Sequence, residues 1–192
     1  MARQKSFNQT AVLEKAMEVF WQKGYEATSM TDLVTAMGIN RGSLYDTFED
    51  KRQLFLQAIA HYRQTLSKTM LERLKTPEAS RQAIEDHFWW IAQQIASAEG
   101  WRGCLMTNTI VELSSQDDAI AAQTKANLQR IEDAFFCALL RAQDREEISP
   151  DKDIRALARY FTTAMQGLQV MAKLSPDPIA IQDSVTVILS VL

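Results

Sequence analysis

Arg41, Gly42, Ser43, Tyr45 and Thr47 fall close together in the chain, and Lys51 follows shortly after. An arginine near a helix start can make paired hydrogen bonds to guanine O6 and N7, the commonest specific contact in a DNA major groove. Gly42 lets a backbone approach closely, and the hydroxyls of Ser43, Tyr45 and Thr47 suit phosphate oxygens or base edges. Lys51 adds charge at the start of another helix, whose free amides also attract phosphate. The same residues could decorate an ordinary surface helix, so their meaning depends on the elements that hold them.

Further along, Cys104 follows Gly103 at the expected first turn of a helix, where unpaired amides and the helix dipole lower a thiol's pKa. Arg102 stands two residues before it. The competing reading is a small cysteine filling a helix junction. Cys137, mid-helix beside Phe136, reads as inert core. His87, Trp90, Trp101, Met106, Phe135, Phe161 and Met165 are large, adaptable side chains that serve either as core or as the wall of an effector pocket. As a pocket they would take an apolar or aromatic ligand. His87 is read as a hydrogen-bonded helix histidine or as one of those ligand contacts. Neither it nor His61 has a second ligand one turn away, so no metal site is expected. Asp117 and Asp118 read as first-turn acids of a long helix. No nucleophile–base–orienter set or phosphate loop can be assembled, so neither an enzyme nor a cofactor is expected.

The elements that must position the first group form a helix-turn-helix. Leu33 and Val34 face a core, Ala36 is small where a second helix crosses, Gly38 accepts a left-handed turn and Ile39 plugs the corner. Leu44 and Phe48, one turn apart, pull the third helix inward and leave Arg41, Ser43, Tyr45 and Asp46 outside. Before it, Leu13, Ala16, Met17 and Phe20 mark a first helix stopped at Gly24. Ser29 and Asp32 read as a shortened capping box for the second helix. Asp50 caps a fourth, from Lys51 to about Leu74.

The rest is helical too. Prolines occur only at 77, 150, 176 and 178. Thr76-Pro77 and the 100–103 segment are breaks, with an apolar helix from Cys104 to Leu113 and a long one from Gln116 to about Arg145. Pro150 is expected to start the next, and Pro176 and Pro178 the last. Gly167, inside an otherwise good helix, suggests close packing against another backbone. The final Val185–Leu192 run is apolar on nearly every face, which one small domain seldom buries, so a subunit interface is its natural partner.

Composition narrows the function. The 192 residues carry a net charge of −3 and a hydrophobic fraction of 46%, ordinary for a globular protein. Bulk positive charge cannot hold nucleic acid here. Residues 1–65 carry 8 basic and 7 acidic side chains against 13 and 17 in the remainder, so an anion would meet the N-terminal part. Arg3, Lys5, Glu14, Lys15 and Glu18 leave no apolar leader near the N-terminus, and no run approaches the roughly 20 residues that span a bilayer. A cytoplasmic location without membrane contact is expected.

Gly24-Tyr25, Thr28, Gly38, Leu44, Tyr45, Phe48, Lys51 and Leu54 match a pattern that ends Leu-Tyr-x-x-Phe-x-x-Lys-x-x-Leu. On these residues the chain resembles the tetracycline-repressor (TetR) family of bacterial transcriptional regulators over about residues 9–60. The resemblance implies a homodimer on a palindromic operator, released by a small effector. It assigns DNA contact to Thr31, Arg41, Gly42, Ser43, Tyr45, Thr47 and Lys51. Asp46 departs from the pattern, standing where many members carry an aromatic or His. It either accepts from a cytosine N4 or points away from the phosphates. Gly103-Cys104-Leu105 with Glu112-Leu113 is similar to the branch that includes the electrophile sensor NemR. That likeness implies a thiol switch at Cys104 with Lys173 nearby and an electrophilic effector.

The expected molecule is all-α, with about nine helices. Residues 1–50 form a three-helix DNA-binding domain; residues 51–192 form the connecting helix, the effector-binding domain and a dimer interface made by the last two helices. The expected function is a ligand- or redox-responsive repressor. The alternative is a helical small-molecule or redox-sensing binding protein without specific DNA readout, which the acidic composition and Asp46 would suit. Steep loss of DNA affinity with salt separates the two.

Overall fold

The structure, a computed structural model, describes residues 7–97, 101–174 and 177–192. Arg3 and Lys5 of the N-terminal charge pattern, and Gly100 and Pro176 at the expected breaks, lie outside them. The described residues form ten helices, one more than expected.

Local signals build the first three. α1 (Gln9–Lys23) is capped by Asn8, whose side chain accepts from the Ala11 amide, and buries Val12, Ala16, Met17 and Phe20. Leu13 sits at the edge of that stripe. Gly24 ends the helix at φ 84°, a backbone that disfavours a side chain. α2 (Met30–Met37) opens on a complete capping box between Ser29 and Asp32 and stops at Gly38, which is left-handed at φ 68°. α3 (Arg41–Phe48) follows, with Asn40 accepting from the Ser43 amide. α4 (Lys51–Gln64) is capped by Asp50, as expected.

The fourth helix does not run on to Leu74. It breaks at Thr65, whose hydroxyl donates to the His61 carbonyl at 2.8 Å, and α5 (Leu66–Lys75) follows. A threonine that bonds back to the preceding turn competes with the helix ladder, a signal that hydrophobic spacing does not carry. α6 (Arg81–Ser97), α7 (Leu105–Leu113), α8 (Asp118–Asp144), α9 (Ile154–Leu174) and α10 (Pro178–Leu189) complete the chain. α8 starts two residues later than expected because Asp117 caps it, accepting from the Ala119 and Ile120 amides. α9 starts at Ile154, not Pro150, because the Asp153 carboxylate accepts from the Arg155 and Ala156 amides.

Two apolar clusters organise these helices. One joins α5, α6, α8, α9 and α10 around Phe88, Phe135 and Phe161. The other surrounds Phe20, Leu33, Leu44, Phe48 and Phe55, and takes in Tyr62, Leu105, Met106, Leu113 and Ile120. The packing unit around the first three helices is therefore larger than residues 1–50, since α4, α7 and the start of α8 close its core. Cys137 corrects the expectation of a buried thiol, for it is exposed. Ala134, Phe135, Ala138 and Leu139 take the inward face of α8, and Cys137 falls on the opposite one. Gly167 has no neighbour within 4 Å of where a side chain would begin, so no backbone of the same chain packs on it. Among the described residues no helix is long and apolar enough to cross a membrane.

Candidate nucleic-acid interface

Leu44 and Phe48 are fully buried (0% exposed) and fix α3 rotationally. Burial of such side chains stabilises by about 1.5–3 kcal/mol each, so rotation of α3 by half a turn is strongly opposed. The opposite face carries Arg41, Gly42, Tyr45 and Asp46 exposed, with Ser43 and Thr47 half-buried beside them. Thr31 is exposed at the start of α2. Asp46 shares the outward surface of α3 with Arg41.

Lys51 is less free than its position suggests. Its ammonium lies 4.4 Å from the centroid of the Tyr25 ring, a cation–π contact that holds it at the first turn of α4. Burial, then the neighbouring Glu26 and Asp50 carboxylates, push the Tyr25 phenol up. Asp32 is held well below the usual carboxylate range, first by the hydrogen bond from Lys23 at 2.6 Å and then by Ser29. These contacts stiffen the end of α1 and the start of α2.

Several contacts that local spacing did not predict bind this unit to the larger helical domain. Both oxygens of Glu112, on α7, accept amide hydrogen bonds from Tyr25 and Glu26, at 3.0 and 2.8 Å. A Cβ on Gly24 would stand 3.0 Å from that carboxylate, so Gly24 serves the close approach as well as the turn. Arg52 grips Asp117 with a two-pronged pair at 2.6 and 2.9 Å. Asp117 is thus both the cap of α8 and an ion-pair partner, and Arg52 is the leading cause of its pKa falling to about 2. Trp21 Nε1 donates to the Gly103 carbonyl at 2.9 Å, while the Arg102 guanidinium lies 3.8 Å from the Trp21 ring centroid and pairs with Glu18. These partners are far apart in sequence, so no local pattern could have revealed them.

Cys104 belongs to this junction. It occupies the N-cap position of α7, just outside the first turn, is half-buried, and its Sγ accepts from the Tyr62 hydroxyl at 3.4 Å. Burial above all keeps Tyr62 protonated and able to donate. Lys173 comes to the same loop, with its Nζ 3.4 Å from Asn108 Oδ1 and its stem beside Gly103.

The effector candidates divide. His87, Phe135, Phe161 and Met165 lie in the larger cluster, and Trp90 and Trp101 pack on it. Met106 lies in the other cluster, with Phe20, Leu33 and Phe55. His87 is buried, with Nε2 3.5 Å from Met165 Sδ and its ring edge-on to Phe135. Its weak sulfur contact replaces the ordinary hydrogen bond expected of a helix histidine. Among the described residues no three His, Cys, Asp or Glu gather as a metal site.

The sequence signature of bacterial regulatory proteins of the tetR family matches residues 12–58, and that of the tetracyclin repressor-like C-terminal domain matches residues 89–188. The chain is 39% identical over 193 residues to the uncharacterized HTH-type transcriptional regulator YezE of Bacillus subtilis, covering both chains completely. It is 35% identical to the HTH-type transcriptional repressor ComR of Escherichia coli, over 89% of this chain and 82% of that one. Among solved structures, a cysteine mutant of the TetR family regulator CifR, complexed with 26-base-pair operator DNA, superposes with a TM-score of 0.86 at 27% identity, covering 98% of each chain. Reduced NemR of E. coli shares the fold at a TM-score of 0.83 and 15% identity, over 93% of each chain. The exposed α3 face, the two signatures and the full-length relatives agree: the chain belongs to the tetR family of bacterial regulatory proteins and is a helix-turn-helix transcriptional regulator.

Proposed function

We propose that this chain is a repressor that binds a palindromic operator as a homodimer and leaves it when a small effector acts on the larger helical domain. The observation that carries the reading is the outward face of α3, held in place by Leu44 and Phe48 and rich in donors. Arg41 reads a guanine edge; Ser43, Tyr45, Thr47 and Thr31 meet phosphates or base edges; Gly42 allows close approach; Lys51 meets a phosphate. Asp46 points away from the phosphates. The repressor ComR and the complex of CifR with operator DNA support this sense of regulation.

α9 and α10 pair across the twofold, placing two α3 helices about 34–36 Å apart in successive major grooves. Effector binding among His87, Trp90, Trp101, Phe135, Phe161 and Met165 favours a dimer whose spacing DNA does not fit. Met106 would act only from the α7 side.

A second route uses Cys104 and Lys173, favoured by the Tyr62–Cys104 contact and by the hydrogen bond from Trp21 to the next-door Gly103. Addition of the Cys104 sulfur to the β-carbon of an unsaturated aldehyde moves the thiol proton to the α-carbon. The adduct then crowds the loop that holds α1. Selection of bound duplexes from a random pool tests the whole reading. A palindromic consensus with half-sites one helical turn apart is expected, and acrolein should release it from the parent protein but not from Cys104→Ser. No consensus at low salt would overturn operator reading and leave a helical binding protein.

A further inference from the structure

Among the described residues four buried side-chain polar atoms have no hydrogen-bond partner: Arg63 Nε, Trp101 Nε1, Asn127 Oδ1 and Gln169 Oε1. Native interiors satisfy nearly all such atoms, so a group of them calls for a ligand or ordered water. Asn127 and Gln169 are only 2% and 5% exposed. Arg63 takes part in no salt bridge among the described residues, leaving a guanidinium with a buried nitrogen and no counter-charge.

The register of the helices brings the four to one level. α8 and α9, joined by the short 145–153 connection, run antiparallel, and the Phe135 and Phe161 rings lie 5.7 Å apart. Continued along both helices, that pairing sets Asn127 opposite the Met165–Gln169 turn. α4 and α5 run alongside α8 in its own direction, from the Arg52–Asp117 pair at one end to Arg141, which donates to the Leu74 carbonyl, at the other. Arg63, near the middle, is therefore level with Asn127. The 101–104 loop closes the ring. Tyr62, next to Arg63, donates to Cys104, and a Cβ on Gly103 would stand 3.5 Å from the Gln169 carbonyl. An apolar wall adjoins this level: Met165, one turn from Gln169, touches His87, on which Trp90 stacks.

We propose that the effector is a small carboxylic acid with an apolar tail, its carboxylate held by Arg63 and Trp101 and flanked by Asn127 and Gln169, its tail against Met165, His87 and Trp90. A guanidinium suits a carboxylate because its planar donors match two oxygens and it stays charged. The two amides supply further N–H donors, since rotation of an amide group presents either end. A neutral aromatic effector would leave Arg63 without a counter-charge.

The inference rests on the effector-released reading, and its test is run without DNA, so that each can fail separately. Hexanoate and benzoate, with hexanamide and benzamide as neutral counterparts, are titrated into the full chain, read by tryptophan fluorescence and melting temperature. At least one acid should bind saturably and more tightly than its amide. Arg63→Gln should weaken that acid about tenfold or more while leaving the amide unchanged. Gln169→Leu should raise the melting temperature of the free protein yet reduce binding of the acid, because it removes an unsatisfied polar group that serves the ligand. The proposal is overturned if neither acid binds at millimolar concentration, or if binding is indifferent to Arg63→Gln. It is overturned equally if Gln169→Leu stabilises with binding intact, which would mean ordered water alone occupies the ring. A protein that ignores both acids but still selects an operator would lose only this inference.

Discussion

His87 shows how one buried side chain sets a pH dependence. Burial beside Phe88, Phe135 and Met165, with a smaller contribution from the Arg73 cation, lowers its pKa to about 4. The unfolded chain therefore takes up a proton near the ordinary histidine value, while the folded chain stays neutral until about pH 4. Stability should fall as pH drops through that interval, by roughly 3 kcal/mol at its lower end from this group. Urea unfolding of the parent and of His87→Leu at successive pH values checks this. The parent should lose stability relative to His87→Leu towards low pH, and parallel profiles would assign the slope to other groups. The lowered carboxyls of Asp32 and Asp117 lose their contribution at lower pH, so they do not mimic the effect. At this scale the sequence was legible where the cause was local. Gly38, Leu44, Phe48 and the Ser29–Asp32 box each follow from neighbours a few residues away. Cys137 was misplaced because an apolar neighbour, Phe136, says little about which face of a helix points inward.

The elements join through contacts that hydrophobic spacing does not encode. α7 lies between the two apolar clusters, and Glu112 grips the turn after α1 by two amide hydrogens. Glu112→Ala should leave those amides without their partner and cost about 1–3 kcal/mol. Hydrogen exchange should speed at Tyr25 and Glu26 while α9 is unaffected; unchanged exchange at both amides would remove Glu112 from the junction. The end of α3 carries a different tension. Glu49 has φ 69° and ψ −66°, with the Asp50 amide bonded to the Phe48 carbonyl at 2.8 Å. This is a tight γ-turn that a side chain disfavours. Glu49→Gly should stabilise by about 0.5–1 kcal/mol in thermal unfolding, because relief of that strain exceeds the entropy glycine adds to the unfolded chain. A lower melting temperature would mean Glu49 makes compensating contacts. Helix existence was readable from periodicity and caps. The break at Thr65 and the late start of α9 were not, since each is decided by one side chain competing for backbone groups.

For the whole molecule, the outer faces of α9 and α10 set the expected assembly. Val170, Met171, Leu174, Ile179 and Val187 are exposed in the single chain, Val187 at 66%, while Ile181, Val185 and Ile188 face inward. A charge in such a face opposes burial against a second copy, so Val187→Arg should shift the protein towards monomer in sedimentation and weaken operator binding in parallel. A dimer that survives with full affinity would place the interface elsewhere. The apolar run at the C-terminus was legible as a helix needing a partner; the inward half of that helix found it within the chain. Base reading by Arg41 is tested most directly by the affinity of the parent and of Arg41→Ala for the selected operator and for single-base variants, over a series of salt concentrations. Both proteins should lose affinity steeply with salt, and Arg41→Ala should lose about 1–3 kcal/mol together with discrimination at one base position of each half-site. If Arg41→Ala keeps the full preference at every position, or if binding does not respond to salt, α3 is not the element that reads DNA.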